Sequence, residues 1–150
     1  MDVPYLEIFK EIAAEYRLDW RLLVQQAWRE SRWDPQAIGG SGEYGLMQIH
    51  PPTWHQWASI LDLVDPFDPE SNIRLAGAYW VWLKEQLLHR RRPEVYWLLA
   101  AYNWGIANVL GVLDRSSAWS EVPPEVQRYA HDIVLGAEVR AVIESLEAGG

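Results

Sequence analysis

A chain of 150 residues is sized for one domain with a core of its own, and the absence of cysteine excludes both disulfides and thiolate metal sites. The net charge of −8 argues against a nucleic-acid binder, which needs a basic face, and no segment approaches the roughly 20 apolar residues of a membrane span. Ten tryptophans and seven tyrosines exceed what such a core requires, and large amphipathic rings also suit a groove for flat-faced ligands such as sugars.

The acidic, amphipathic N-terminus lacks the basic and apolar regions of a signal peptide. From about Pro4 to Arg17, Leu6, Ile8, Phe9, Ile12, Ala13 and Tyr16 recur at helical spacing. Asp19 is placed to cap a second helix through "WRLLVQQAWRESRW", ending near Asp34-Pro35. Between Gln36 and His50 the glycines break any helix, so a loop or short irregular strands are expected. Pro51-Pro52-Thr53 restarts a short helix through "WHQWASIL".

Asp68-Pro69 starts a helix through "ESNIRLAGAYWVWLKEQLLHRR", and the run His89 to Arg92 reads as its solvated, dipole-matched C-terminal end. Pro93 opens "EVYWLLAAYNW", which Gly105 interrupts. Pro123-Pro124 precedes a long last helix, "EVQRYAHDIVLGAEVRAVIESLE". With no repeat, linker or low-complexity tract, the expectation is one mainly α domain, residues 1–150, with a small glycine-rich wing.

Glu30 lies three residues after Ala27 and seven after Leu23, on the face those residues define. An acid turned inward beside Trp28 and Trp33 loses solvation, which raises its pKa and suits it to protonate a leaving oxygen. The plain alternative is a solvated residue in the last helical turn. Four glycines follow (Gly39, Gly40, Gly42 and Gly45), with a second acid, Glu43, among them. Gly42 and Gly45 suit backbone shapes that other residues resist.

The stretch "ESRWDPQAIGGSGEYGLMQIHPPT", Glu30 to Thr53, resembles the signature of the soluble lytic transglycosylases. Glu30-Ser31, Pro35-Gln36-Ala37, Gly45 to Ile49, Pro51 and Thr53 carry the likeness. "FDPESNIRLAGAYWVWL" is similar to that family's Asp-Pro-x-x-Asn-Ile helix, and "AAYNWG", Ala100 to Gly105, to its Ala-Tyr-Asn-x-Gly element. "PPEVQRYAHDIV" resembles a further element, with Val126 for Thr and Ala130 for Val. The ordered elements reach from Ala27 to about Val134.

The resemblance implies a lysozyme-like α fold that cleaves the β-1,4 bond between N-acetylmuramic acid and N-acetylglucosamine in peptidoglycan at the bacterial wall. Glu30 is implied to act first as acid and then as base, giving a 1,6-anhydro product without metal or cofactor. Ser31 is implied to help hold the N-acetyl group, and Met47 and Gln48 to line the groove. Tyr102 is implied to direct its hydroxyl at Glu30, Asn103 to brace the same site, and Tyr129 to close the pocket. Core packing is the alternative for Met47 and Tyr129, and a helix-terminus role for Asn103.

Two positions depart from the family pattern, which often has Ser at Gly39 and a small residue at Glu43. A second carboxylate on the wing opens a hydrolytic alternative of the goose-type lysozyme kind, with Glu43 as base for a water. A non-catalytic wall-binding module is a third reading, which the retained Glu30, Ser31 and Tyr102 weigh against. The partner expected is the glycan strand, met by a monomer that is exported, periplasmic or phage-encoded. His50, His55, His89 and His131 lack the spacing of an HExxH helix or a Cys/His cluster.

Overall fold

In the computed structural model, which describes residues 2–150, seven α-helices carry most of the chain. Its residues fall into two compact units, one ending at Tyr79 and the other beginning at Trp80.

The first unit holds α1 (Leu6–Tyr16), α2 (Trp20–Ser31), α3 (Pro51–Leu61) and the first half of α4 (Pro69–Leu88). The 3.6-residue period of α1 buries Phe9, Ile12 and Ala13, and that of α2 buries Leu23, Val24 and Ala27, where the two helices pack together. Asp19 caps α2, its carboxylate accepting a bond from the Arg21 N–H at 2.9 Å. α3 begins directly on Pro51 and Pro52, whose missing N–H groups fall where a helix has no acceptor to offer them. At the start of α4 the Asp68 carboxylate accepts from both the N–H and the hydroxyl of Ser71, at 3.0 and 2.8 Å.

Between α2 and α3 the glycine-rich wing makes only two isolated antiparallel bridges, Ile38 with Tyr44 and Tyr44 with Ile49. It is tied down by Asn72 of α4, which is 1% exposed. The Asn72 amide oxygen accepts from the Met47 N–H at 2.8 Å, and its nitrogen donates to the carbonyls of Tyr44 and Pro66, each at 2.9 Å. One amide thus does for the wing what a sheet ladder does elsewhere.

The second unit holds the rest of α4, α5 (Val95–Trp104), α6 (Ile106–Arg115), a 3-10 turn at Trp119–Glu121 and α7 (Pro124–Gly149). α5 is its centre, burying Trp97 through Tyr102 against α6 and α7. It ends at Gly105, whose φ of 107° and ψ of 139° suit glycine alone, and α6 starts at the next residue. The basic run leaves α4, which stops at Leu88, and turns through Arg91 at φ 58°. Arg90 then pairs with Asp114 of α6 at 3.0 Å, so this segment is anchored to another helix instead of extending its own.

Candidate active site

Glu30 stands half-buried on the last turn of α2. Beyond Ser31 the helix stops abruptly, because Arg32 and Trp33 take left-handed backbone at φ 56° and 62°. Neither is glycine, so each costs about 1 kcal/mol or more. Tertiary contacts offset that cost. The Trp33 indole N–H donates to the Val24 carbonyl at 3.0 Å, its ring packs 4.8 Å from that of Trp28, and the Arg32 guanidinium lies over Trp28. The turn that carries the acid is therefore held by two tryptophans flanking it in sequence.

Ser31 joins the acid's helix to the wing. Its hydroxyl reaches the Leu46 carbonyl at 2.8 Å and the Ala27 carbonyl at 3.0 Å, so its proton is engaged inside the protein. Its oxygen lone pairs suit a donor from a ligand. Met47, placed at the groove by the resemblance, is wholly buried, and its backbone N–H is held by Asn72.

Gln48, expected to offer a sugar both donor and acceptor, has its donors engaged. With backbone in the left-handed region at φ 48°, its amide nitrogen faces the carbonyls of Gly45 (2.9 Å), Ala37 (3.2 Å) and Glu43 (3.5 Å). Only its amide oxygen is left to accept. Glu43 is half-buried, and one carboxylate oxygen accepts from the Ser41 N–H at 2.9 Å. Ser31 and Gln48 thus each donate to carbonyls of the wing, while the Glu43 carboxylate accepts from a wing N–H.

The second unit carries the remaining candidates. Tyr102 is buried on α5, and Tyr129 is buried on α7 at 2% exposure, with their two helices packed on each other. Asn103 is exposed on the last turn of α5, just ahead of the Gly105 break. A separate cavity of about 230 Å³ is lined by Glu94, Tyr96, Trp97, Trp119 and His131. Among the described residues no group of three or more His, Cys, Asp or Glu side chains is disposed to hold a metal ion. No helix there is long and apolar enough to cross a membrane.

Sequence reasoning did not single out Asn72 for a role, although it sits inside a quoted motif. Its type was the available signal, since an amide within an apolar helical run is retained where it satisfies buried backbone. The sequence reads Trp33 as a ring that desolvates Glu30, whereas its indole bond to Val24 has no sequence signature.

The family model described as the transglycosylase SLT domain matches residues 7–120, which takes in every candidate above except Tyr129 and His131. A membrane-bound lytic murein transglycosylase F 1 of Alkalilimnicola ehrlichii is 37% identical over 107 residues, covering 70% of this chain and 21% of that protein. A membrane-bound lytic murein transglycosylase F of Haemophilus influenzae is 32% identical over 108 residues, covering 71% and 21%. The chain therefore spans about a fifth of the length of these curated relatives.

Among solved structures, an inactive variant of the lytic transglycosylase Slt from Pseudomonas aeruginosa superposes with a TM-score of 0.80 at 21% identity, over 97% of this chain and 25% of that one. The 70 kDa soluble lytic transglycosylase of Escherichia coli gives 0.71 at 23% identity, over 91% and 24%. At those identities the likeness is one of fold, the mainly α, lysozyme-like architecture.

Proposed function

The chain belongs to the transglycosylase SLT domain family, and from that premise we propose that it cleaves the β-1,4 bond between N-acetylmuramic acid and N-acetylglucosamine in peptidoglycan, with Glu30 as its proton-transfer group. The observation that carries this reading is the setting of Glu30. It is a half-buried carboxyl on a clamped helix end, next to a serine tied to the wing. A clamped helix end carries the acid at a fixed place, which lowers the cost of reaching the geometry of proton transfer.

As acid, Glu30 gives its proton to the glycosidic oxygen as the bond from C1 breaks, and the substrate's own N-acetyl oxygen shares the charge developing at C1. As base, the resulting carboxylate takes the proton of the muramic acid 6-hydroxyl while that oxygen bonds to C1. The ring closes as a 1,6-anhydro sugar, and Glu30 is again protonated. This substrate-assisted course departs from the two-carboxylate scheme of most glycosidases and needs neither metal nor cofactor.

Ser31 and Gln48 act in this reading as acceptors at the sugar, and Tyr102, Asn103 and Tyr129 are carried over from the resemblance as substrate-binding residues. Met47 contributes by holding the wing, since its side chain is buried. Residues 1–150 act as one catalytic domain, a monomer working on glycan strands at the bacterial wall. A hydrolytic course has one observation in its favour, the extra carboxylate of Glu43 held on the wing.

Mass spectrometry of the muropeptides released from purified sacculi decides between the two. Anhydro-muramic ends are expected. Reducing ends that vanish in Glu43→Gln would establish hydrolysis instead. Glu30→Gln is expected to abolish clearing of sacculi with its far-UV circular dichroism unchanged, and undiminished clearing by that variant removes Glu30 from the mechanism. Sacculi that bind the chain and release no muropeptide would point to a wall-binding module.

A further inference from the structure

Two acceptor oxygens of the wing converge on Gly39. A Cβ built on that glycine would stand 2.1 Å from Oε2 of Glu43 and 2.4 Å from Oε1 of Gln48. Both oxygens therefore pack against the bare Cα of Gly39, and a side chain there would have to push the ends of Glu43 and Gln48 aside. The backbone of Gly39 does not itself call for glycine, since its φ lies outside the left-handed region that Gly42, Gly45 and Gly105 occupy. What a side chain at this position would meet is the carboxylate of Glu43 and the amide oxygen of Gln48.

Among the described residues neither oxygen meets a donor. The other oxygen of Glu43 accepts from the Ser41 N–H, which fixes the carboxylate in place. The Gln48 amide cannot be reversed, because its nitrogen is surrounded by three carbonyls that would repel an oxygen. Gln48 is only 8% exposed, yet its amide oxygen is not sealed off. Among the described residues no sealed side-chain oxygen lacks a partner, so this one opens to the outside. A carboxylate and an amide oxygen brought together with no proton between them repel, and a donor placed between them turns that repulsion into two hydrogen bonds.

We infer that Glu43 and Gln48 form a two-acceptor seat for one N–H or O–H donor of the glycan, a sugar hydroxyl or an acetamido N–H. Gly39 forms the floor of the seat, where a side chain would push the two oxygens aside. The inference rests on the glycan-cleaving reading above and gives Glu43 a binding role that holds whichever product forms.

The test titrates soluble glycan strands, freed from sacculi by an amidase, into the chain carrying Glu30→Gln so that nothing is cleaved. Calorimetry reads affinity, and NMR follows the Gln48 side-chain amide. That amide resonance is expected to shift as strands bind. Adding Glu43→Gln keeps the side chain's shape but turns an N–H toward the Gln48 oxygen and closes the seat. Affinity is then expected to fall about tenfold or more, the usual loss of a hydrogen bond to a charged group. Gly39→Ala displaces the two oxygens from their shared position and is expected to lower affinity similarly, with thermal melts run on both variants.

Parental affinity in the folded Glu43→Gln variant, or an unmoved Gln48 amide in the bound state, means the seat holds solvent only and overturns the inference. In that case muropeptide release by the unmodified chain still stands, and the glycan reading survives. If the Glu30→Gln chain binds no strands and the unmodified chain releases no muropeptide, the glycan reading falls and the seat falls with it.

Discussion

Asn72→Ala tests the proposition that a single amide holds the wing. The substitution removes three hydrogen bonds at once, to the Met47 N–H and to the carbonyls of Tyr44 and Pro66. Met47 is wholly buried, so its orphaned N–H cannot turn to water, at a cost of about 1–3 kcal/mol. Tyr44 and Pro66 are half-buried, and their carbonyls recover part of their loss from solvent. With a small cavity added, the sum is about 3 kcal/mol, out of the roughly 5–15 kcal/mol typical of a whole domain. The melting temperature should drop by about 6–12 °C, at 2–4 °C per kcal/mol for a chain of this length.

Urea unfolding gives the free energy directly, and muropeptide release reports the wing's placement. Asn72→Asp sharpens the test, because it keeps the acceptor for Met47 and the shape of the side chain. Its second oxygen then faces two carbonyls, so burial and repulsion raise its folded pKa above that of the unfolded chain. Stability of that variant should therefore be greatest at low pH and fall as pH rises through the unfolded value. A loss below about 1 kcal/mol in the alanine variant, or an aspartate variant indifferent to pH, would refute the reasoning.

The other predictions concern local conformation and charge. Gly105→Ala should cost about 1–3 kcal/mol through its torsion alone, since the nearest atom to an added Cβ is 3.6 Å away, and urea unfolding unchanged from wild type would contradict it. Glu15, hydrogen-bonded to the Arg74 guanidinium at 2.6 Å, and Asp114, bonded to Arg90, both have carboxyls lowered from their ordinary pKa, first by those bonds. A lowered folded pKa contributes stability that is present above the unfolded values of 4.5 and 3.8 and is lost as pH falls through the folded ones. Thermal melts from pH 6 downward should show a small loss that Glu15→Gln and Asp114→Asn together flatten, and an identical slope in the double variant would rule the pairs out as its source.

Helix starts were legible in the sequence because they are local events. Asp19, Pro51-Pro52 and Asp68 each act on backbone within three residues, and α2, α3 and α4 begin where they direct. Helix ends were less so. α2 stops at Ser31 instead of near Asp34, because Arg32 and Trp33 are forced left-handed by contacts with Val24 and Trp28 that no neighbour in sequence announces. α6 went unforeseen because a glycine reads as a stop, whereas Gly105 is a corner between two helices.

For the site, the sequence by itself singled out the candidate residues. Glu30, Ser31, Gln48 and Tyr102 are identifiable by type and order, and the family model spans them. What each side chain has left to offer was decided only by tertiary structure. Hydrogen-bond capacity is finite, and a fold that uses Gln48's donors and Ser31's proton internally leaves them as acceptors. The same limit of space lets the carboxylate of Glu43 stand where residue 39 would otherwise carry a side chain.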